Sequence, residues 1–176
     1  MSTELIFPAG STYDMTADEG PYRLTADQFE ALPATELQLQ RRESIRDLAR
    51  AMFTADLGGT DLYRITASDE EAQPINHFTP GVYVREFRMR AGLRIVGMRH
   101  AQEHISIVSA GRATVYTEHG QQEIQAPCIF KSPAGTQRVL VIHEDMVWQT
   151  SHRTDETDPT KVVDELTIDE SARVLS

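Results

Sequence analysis

From residue 81 to about 153, apolar and polar side chains alternate in short runs broken by Gly, Pro and Asp, whereas before residue 80 the apolar residues recur at helical spacing. The change of period predicts a helical N-terminal arm over 1–80, a β domain over 81–153 and an acidic C-terminal segment over 154–176. In the arm, Thr25 followed three residues later by Gln28 makes a capping box that opens a short helix running to Leu32, where Pro33 stops it. Thr35 then caps a longer helix, Glu36 to Phe53. Its apolar residues Leu39, Ile45, Leu48, Met52 and Phe53 alternate with Arg41, Arg42, Glu43, Arg46, Asp47 and Arg50. Gly58-Gly59 closes this helix, and Ala67 to Gln73, with Asp69, Glu70 and Glu71, reads as an exposed linker.

In the β domain the predicted strands are Val82 to Met89, Leu93 to Arg99, His104 to Ser109, Ala113 to Glu118, Glu123 to Ala126, Ile129 to Ser132, Arg138 to His143 and Met146 to Ser151. His119-Gly120 and Glu144-Asp145 are read as tight turns. About eight short strands point to a jelly roll or barrel, so the fold class is mainly β with a helical arm. Asp158-Pro159 starts a short C-terminal helix carrying Val162, Val163 and Leu166. In the last hairpin Val139, Val141 and Trp148 compete with Leu140, Ile142 and Val147 for the core. The long helix has no second long helix against which to bury its stripe, so it must cover a sheet, on its own barrel or in a neighbouring subunit.

Charge narrows the partners. The 176 residues hold 27 acids against 17 bases, a net charge of -10, which argues against binding nucleic acid or an anionic membrane surface. The interleaved acids on the long helix make its arginines a solvated or partner-facing surface. Cys128 is the one cysteine, which excludes an internal disulfide framework and Cys-rich zinc patterns. The first residues lack a basic segment followed by an apolar run, and no stretch approaches ~18 apolar residues, so a secreted or membrane-spanning protein is not expected.

Five of the six histidines lie between 100 and 152. Gly92, Met98, His100, His104 and Gly111 keep the spacing of the first motif of the cupin superfamily, and Pro133 and Gly135 keep part of the second, with Arg138 at its histidine position. Over residues 80 to 152 the chain therefore resembles a cupin with degenerate motifs. The resemblance implies a jelly-roll barrel whose inward side chains at Met98, His100, His104 and Arg138 occupy the metal-ligand positions. A thioether and a permanent cation are unsuited to a hard divalent ion, so the four-ligand site is absent and no tightly held cofactor is expected. A divalent metal on His100 and His104, completed by Glu103 or His143, is the alternative, although strand alternation puts Glu103 on the opposite face from His104. Against these stand plainer readings: hydrogen bonding for His100 and His104, an ion pair for Arg138, an exposed hairpin end for His143 and packing for Trp148.

The run from Gly97 through Ser132-Pro133-Ala134-Gly135-Thr136, His143-Glu144-Asp145, Trp148 and His152 to Asp158 also resembles small cupin-like proteins of tailed bacteriophages. That resemblance implies a virion or the cytoplasm of a bacterial host, with other virion proteins or a second copy of the chain as partner. Three functions follow. The first is a non-catalytic, oligomeric phage protein. The second is a mononuclear-metal cupin enzyme in which His100 and His104 hold the ion, Arg138 orients a small anionic substrate, and Glu103 or His143 moves a proton. The third is a metal-free binder that pairs Arg138 with a carboxylate.

Overall fold

The computed structural model describes residues 23–54, 62–63 and 74–168. The Gly58-Gly59 helix end, the Ala67 to Gln73 linker and the side chains of Met52 and Phe53 lie outside the described residues. Helix α1 (Ala26–Glu30) opens on the expected Thr25 and Gln28 capping box. Helix α2 (Glu36–Thr54) opens on a second such box, in which the Gln38 amide donates to Thr35 Oγ1 and the Thr35 amide to Gln38 Oε1. The strands are β1 (Leu62–Tyr63), β2 (Ile75–Thr79), β3 (Val82–Met89), β4 (Arg94–Val96), β5 (His104–Thr117), β6 (Gly120–Gln125), β7 (Cys128–Ser132) and β8 (Val139–His152), followed by helix α3 (Pro159–Leu166).

Several of these elements differ from the expected pattern: β1 and β2 lie within the expected helical arm 1–80 yet join the sheet, and β4 ends at Val96 rather than Arg99. The expected strands His104 to Ser109 and Ala113 to Glu118 are one strand, β5, and the expected final hairpin is one strand, β8, with Glu144 and Asp145 inside it rather than in a turn. The hairpin between β5 and β6 turns at Glu118-His119, one residue before the expected position, since Thr117 pairs with Gly120. Short strands were expected because Gly111 and the Glu144-Asp145 pair carry turn chemistry, and here that chemistry makes a shared bend.

The bend generates the barrel. The last half of β8 pairs with β3 and the first half with β4, while β5 pairs antiparallel with β8 along both halves and with β7 and β6 on its other edge. One leaf is therefore β2-β3-β8-β5-β7 and the other β1-β4-β8-β5-β6, and the two long strands cross between them. Register shifts in β5 between Val108 and Ala113 change its inward phase from even to odd residues, so Val108 and then Ala113 and Val115 all face the core. The core lies between the leaves, with Met89, Val108, Phe130, Met146 and Trp148 from one and Ile95, Ala113, Val115, Ile124, Leu140 and Ile142 from the other. The competition in β8 is thus settled for Leu140, Ile142 and Trp148. The protein is mainly β, a jelly-roll barrel with added helices.

The helices cover particular parts of it. Ile45 of α2 is buried, and with Leu48 it borders a groove lined by Arg94, Tyr116, Val139 and Val141 on the outer side of the second leaf, while Leu39 stays exposed. Arg42 forms a bidentate ion pair with Glu118. Segment 99–102 is held from both termini: Leu24 N donates to Ala101 O at 2.8 Å, Ala101 N to Leu166 O at 2.8 Å and Ile168 N to Arg99 O at 2.9 Å. Leu24, Phe29, Ala101 and Ile168 form a small core there, and Val162 and Leu166 of α3 bury against Tyr83. No described helix is long and apolar enough to cross a membrane.

At the bend Gly111 has φ +88°, and a Cβ there would lie 2.4 Å from the Asp145 carbonyl oxygen. Gly111→Ala is expected to cost more than about 2 kcal/mol, from left-handed strain plus a clash with backbone that cannot swing away. Gly92→Ala, at φ +91° but with nothing within 4 Å, should lose only the backbone penalty of about 1–2 kcal/mol. Urea unfolding of both variants checks the difference.

Candidate functional site

Strand alternation places the polar groups. On the first leaf the inward side chains recur every second residue, as Tyr83, Arg85, Phe87 and Met89 on β3 and as Met146, Trp148, Thr150 and His152 on β8. On β5 they are His104, Ser106 and Val108. Register stacks these into layers: Tyr83 opposite His152, then Arg85 opposite Thr150 and Thr150 opposite Ser106, then Phe87 opposite Trp148 and Trp148 opposite Val108. The polar layers lie at the end of the leaf that meets segment 99–102. The apolar layers continue into the core.

His100 joins from that segment, where its carbonyl accepts from the Gly135 amide at 2.8 Å and its backbone bridges to Thr167. The three rings then converge. His100 lies 4.2 Å from His104 and 5.1 Å from His152 between centroids, and His104 lies 4.5 Å from His152. One nitrogen from each falls within 4.8 Å of the others. His100 Nδ1, His104 Nε2 and His152 Nδ1 are all buried without a hydrogen-bond partner. His104 Nδ1 lies 3.1 Å from the Gln102 carbonyl, to which it donates in the neutral ring, leaving the Nε2 lone pair facing inward.

Burial keeps these rings uncharged. It holds His100 well below the ordinary histidine value, helped by His104 and His152. It brings His104 down to about 3, with His152 adding to the effect, and His152 down to about 4, with Arg85 adding. Three neutral imidazoles with free lone pairs fit a divalent transition metal, for which imidazole is a preferred ligand and neutrality a requirement.

Beside the triad is a cavity of about 110 Å3. Its polar end carries His100, His104, Ser106, Thr150, Arg85 and Arg138, and its other walls are Phe87, Met89, Ile95, Leu140 and Trp148. Arg138 is 8% exposed and donates from Nη2 to Ser132 Oγ at 2.9 Å, and Ser132 Oγ in turn lies 2.9 Å from Ser106 Oγ. Its Nε has no partner. Burial lowers its guanidinium to about 10, still charged at neutral pH.

His100, His104 and Arg138 thus line one cavity, while Glu103 and His143 do not reach it. Glu103 faces outward from the neighbouring residue and pairs with Lys131 at 3.1 Å. His143 is exposed at the bend, its Nε2 2.7 Å from Thr114 Oγ1. Neither can complete a metal set with the two histidines. Met98 borders the cavity but is 41% exposed. The residues that sequence reasoning missed are His152 and Arg85. Period two running from Trp148 through Thr150 would have found His152, but ending the strand at Ser151 left it out.

No family model matches the chain, and no curated protein matches it. Among solved structures, KdgF from Halomonas sp. is 18% identical, with 54% of this chain and 90% of that one covered at a TM-score of 0.43. A cupin domain from Bordetella pertussis is 19% identical over 47% of this chain and 93% of that one, TM-score 0.40. The EutQ protein of Clostridium difficile is 10% identical over 53% and 78%, TM-score 0.42. Over about half its length the chain is similar to these cupin-domain and related proteins.

Histidines of the unfolded chain titrate near 6.5, so below that pH the unfolded state binds more protons than the native one and stability falls. In the metal-free protein, stability should drop steadily between pH 6.5 and 4, and the drop should be shallower in His152→Gln, whose native ring titrates at about 4. Urea unfolding across that range measures both slopes.

Proposed function

We propose that the barrel is a mononuclear metal site of the cupin kind, in which His100, His104 and His152 hold a divalent transition ion beside a small-molecule cavity. The observation that carries this is that three clustered rings each bring a nitrogen within 4.8 Å of the others and each have a buried, unpartnered nitrogen, since a buried polar atom without a partner costs about 1–3 kcal/mol. When bound, such an ion supplies Lewis acidity at the positions that three ligands leave open. The chain's own residues do the rest. Gln102 fixes the His104 tautomer through its carbonyl, and the apolar wall from Phe87 to Trp148 limits the water that shares the cavity.

Equilibrium dialysis of chelator-treated protein against zinc or manganese, read by elemental analysis, tests this. One ion per chain is expected, with affinity reduced at least tenfold in His100→Gln and His152→Gln and unchanged in His143→Gln. Absence of uptake, or uptake indifferent to His152, would contradict it.

The non-catalytic phage-particle reading is carried by the sequence resemblance alone. Its oligomeric component has one structural support: Leu37 and Leu39 of α2 are 53% and 51% exposed, and Ile129 on the outer face of β7 is 63% exposed. Sedimentation of the full chain should show a homo-oligomer that Ile129→Glu or Leu39→Glu weakens; a monomer at all concentrations would end that reading.

A further inference from the structure

Two guanidinium groups enter the cavity without an acid to meet them. Arg85 comes from β3 and Arg138 from the residue before β8, and no carboxylate pairs with either among the described residues. Both Nε atoms are buried and unpartnered, as is Thr150 Oγ1, which lies in register between Arg85 and Ser106. A buried charge ordinarily has a partner, because leaving it alone forfeits hydration with nothing in return. Arg138 has only the Ser132 hydroxyl and the face of Phe130, 5.6 Å from the ring centroid. Arg85 has the face of Phe87 at 4.8 Å.

We propose that the missing partner is the ligand, a small monocarboxylate whose head is held by Arg85 and Arg138 and whose apolar tail lies against Phe87, Leu140 and Trp148. Guanidinium groups match a carboxylate in shape and charge, and the hydroxyl of Thr150 gives a further donor beside it. The wall on the tail side, Phe87, Met89, Ile95, Leu140 and Trp148, offers no polar side chain apart from the indole of Trp148 to meet a hydroxylated or second charged end. Size is bounded too. A volume of about 110 Å3, against a share of roughly 30 Å3 per water, holds about four water-sized groups and so favours a short-chain acid. The assignment deepens the reading of this cavity as the small-molecule site, but it needs no metal, since both cations belong to the chain.

Trp148 is the one tryptophan in the sequence and lines the cavity, so its fluorescence reports entry. Butyrate and isobutyrate are titrated into full-length protein, once after chelator treatment and once with zinc, alongside butyramide, butylammonium and inorganic phosphate. The expected result is saturable quenching or shift by the two acids in both preparations. Butyramide should bind at least tenfold more weakly, butylammonium not at all, and phosphate more weakly than butyrate because it has no tail. Arg138→Met and Arg85→Gln should each weaken butyrate at least tenfold. Thermal unfolding of ligand-free Arg138→Met separates a ligand group from a structural one: the melting temperature should hold or rise, because an apolar isostere replaces an unpaired buried charge.

Equal binding of butyramide and butyrate, phosphate as tight as butyrate, or butyrate binding unaffected in both variants would overturn the proposal. A large fall in melting temperature for Arg138→Met, with butyrate binding intact in Arg85→Gln, would assign the arginines to structure and overturn it as well. Butyrate binding with no zinc uptake would sink the metal reading and leave this one standing.

Discussion

Strands β5 and β8 pair over ten register positions, and each takes part in both leaves of the barrel. Every group of the site but His100, which joins from segment 99–102, rests on that ladder. His104 and Ser106 are on β5, Thr150 and His152 are on β8, Arg85 is set by pairing of β3 with β8, and Arg138 leads into β8. The ladder must bend to close the barrel, and the bend requires a residue without a side chain where the backbones of Gly111 and Asp145 meet. From there, strict alternation carries the inward face outward from the apolar core to the histidine layer. Shifting β8 by one residue would turn His152, Thr150 and Trp148 out together.

The opposition between core and site is energetic as well as spatial. Trp148, Phe130, Met146 and Val108 bury apolar area that stabilises the fold. One or two layers further, three imidazoles and a guanidinium give up hydration for incomplete hydrogen bonding. A barrel built for stability alone would fill these positions with Leu or Val. The polar end persists because the apolar end, the small core of Leu24, Phe29, Ala101 and Ile168, and the Val162 and Leu166 contacts with Tyr83 hold segment 99–102 and His152 in place. Unsatisfied lone pairs and unpaired cations in one cavity are a coherent set: the lone pairs suit a cation, and the cations suit an anion.

Much of this was legible in the sequence. Strand periodicity identified most of the sheet, the Thr25 and Asp158 caps located two helices, and motif spacing brought His100, His104 and Arg138 to one place. What was not legible depended on how two turn-like stretches are used. Gly111 and Glu144-Asp145 have the composition of turns, and only pairing of β5 with β8 shows that they are a bend within continuous strands. That misreading split both long strands, and His152 was lost separately, because the last strand was ended one residue short at Ser151. Arg85 was invisible for a different reason. An arginine in a strand is ordinarily solvated, and its inward aim follows from the register Arg85 with Thr150, a contact across 65 residues of chain.

The β5 and β8 ladder and segment 99–102 together bring three imidazoles to one point. X-ray absorption at the metal edge of zinc-loaded protein tests it most directly, because imidazole rings give a distinct multiple-scattering pattern. Three imidazole nitrogens at about 2.0–2.1 Å are expected around each zinc. A first shell of oxygen alone, or one with fewer than three imidazoles, would contradict it.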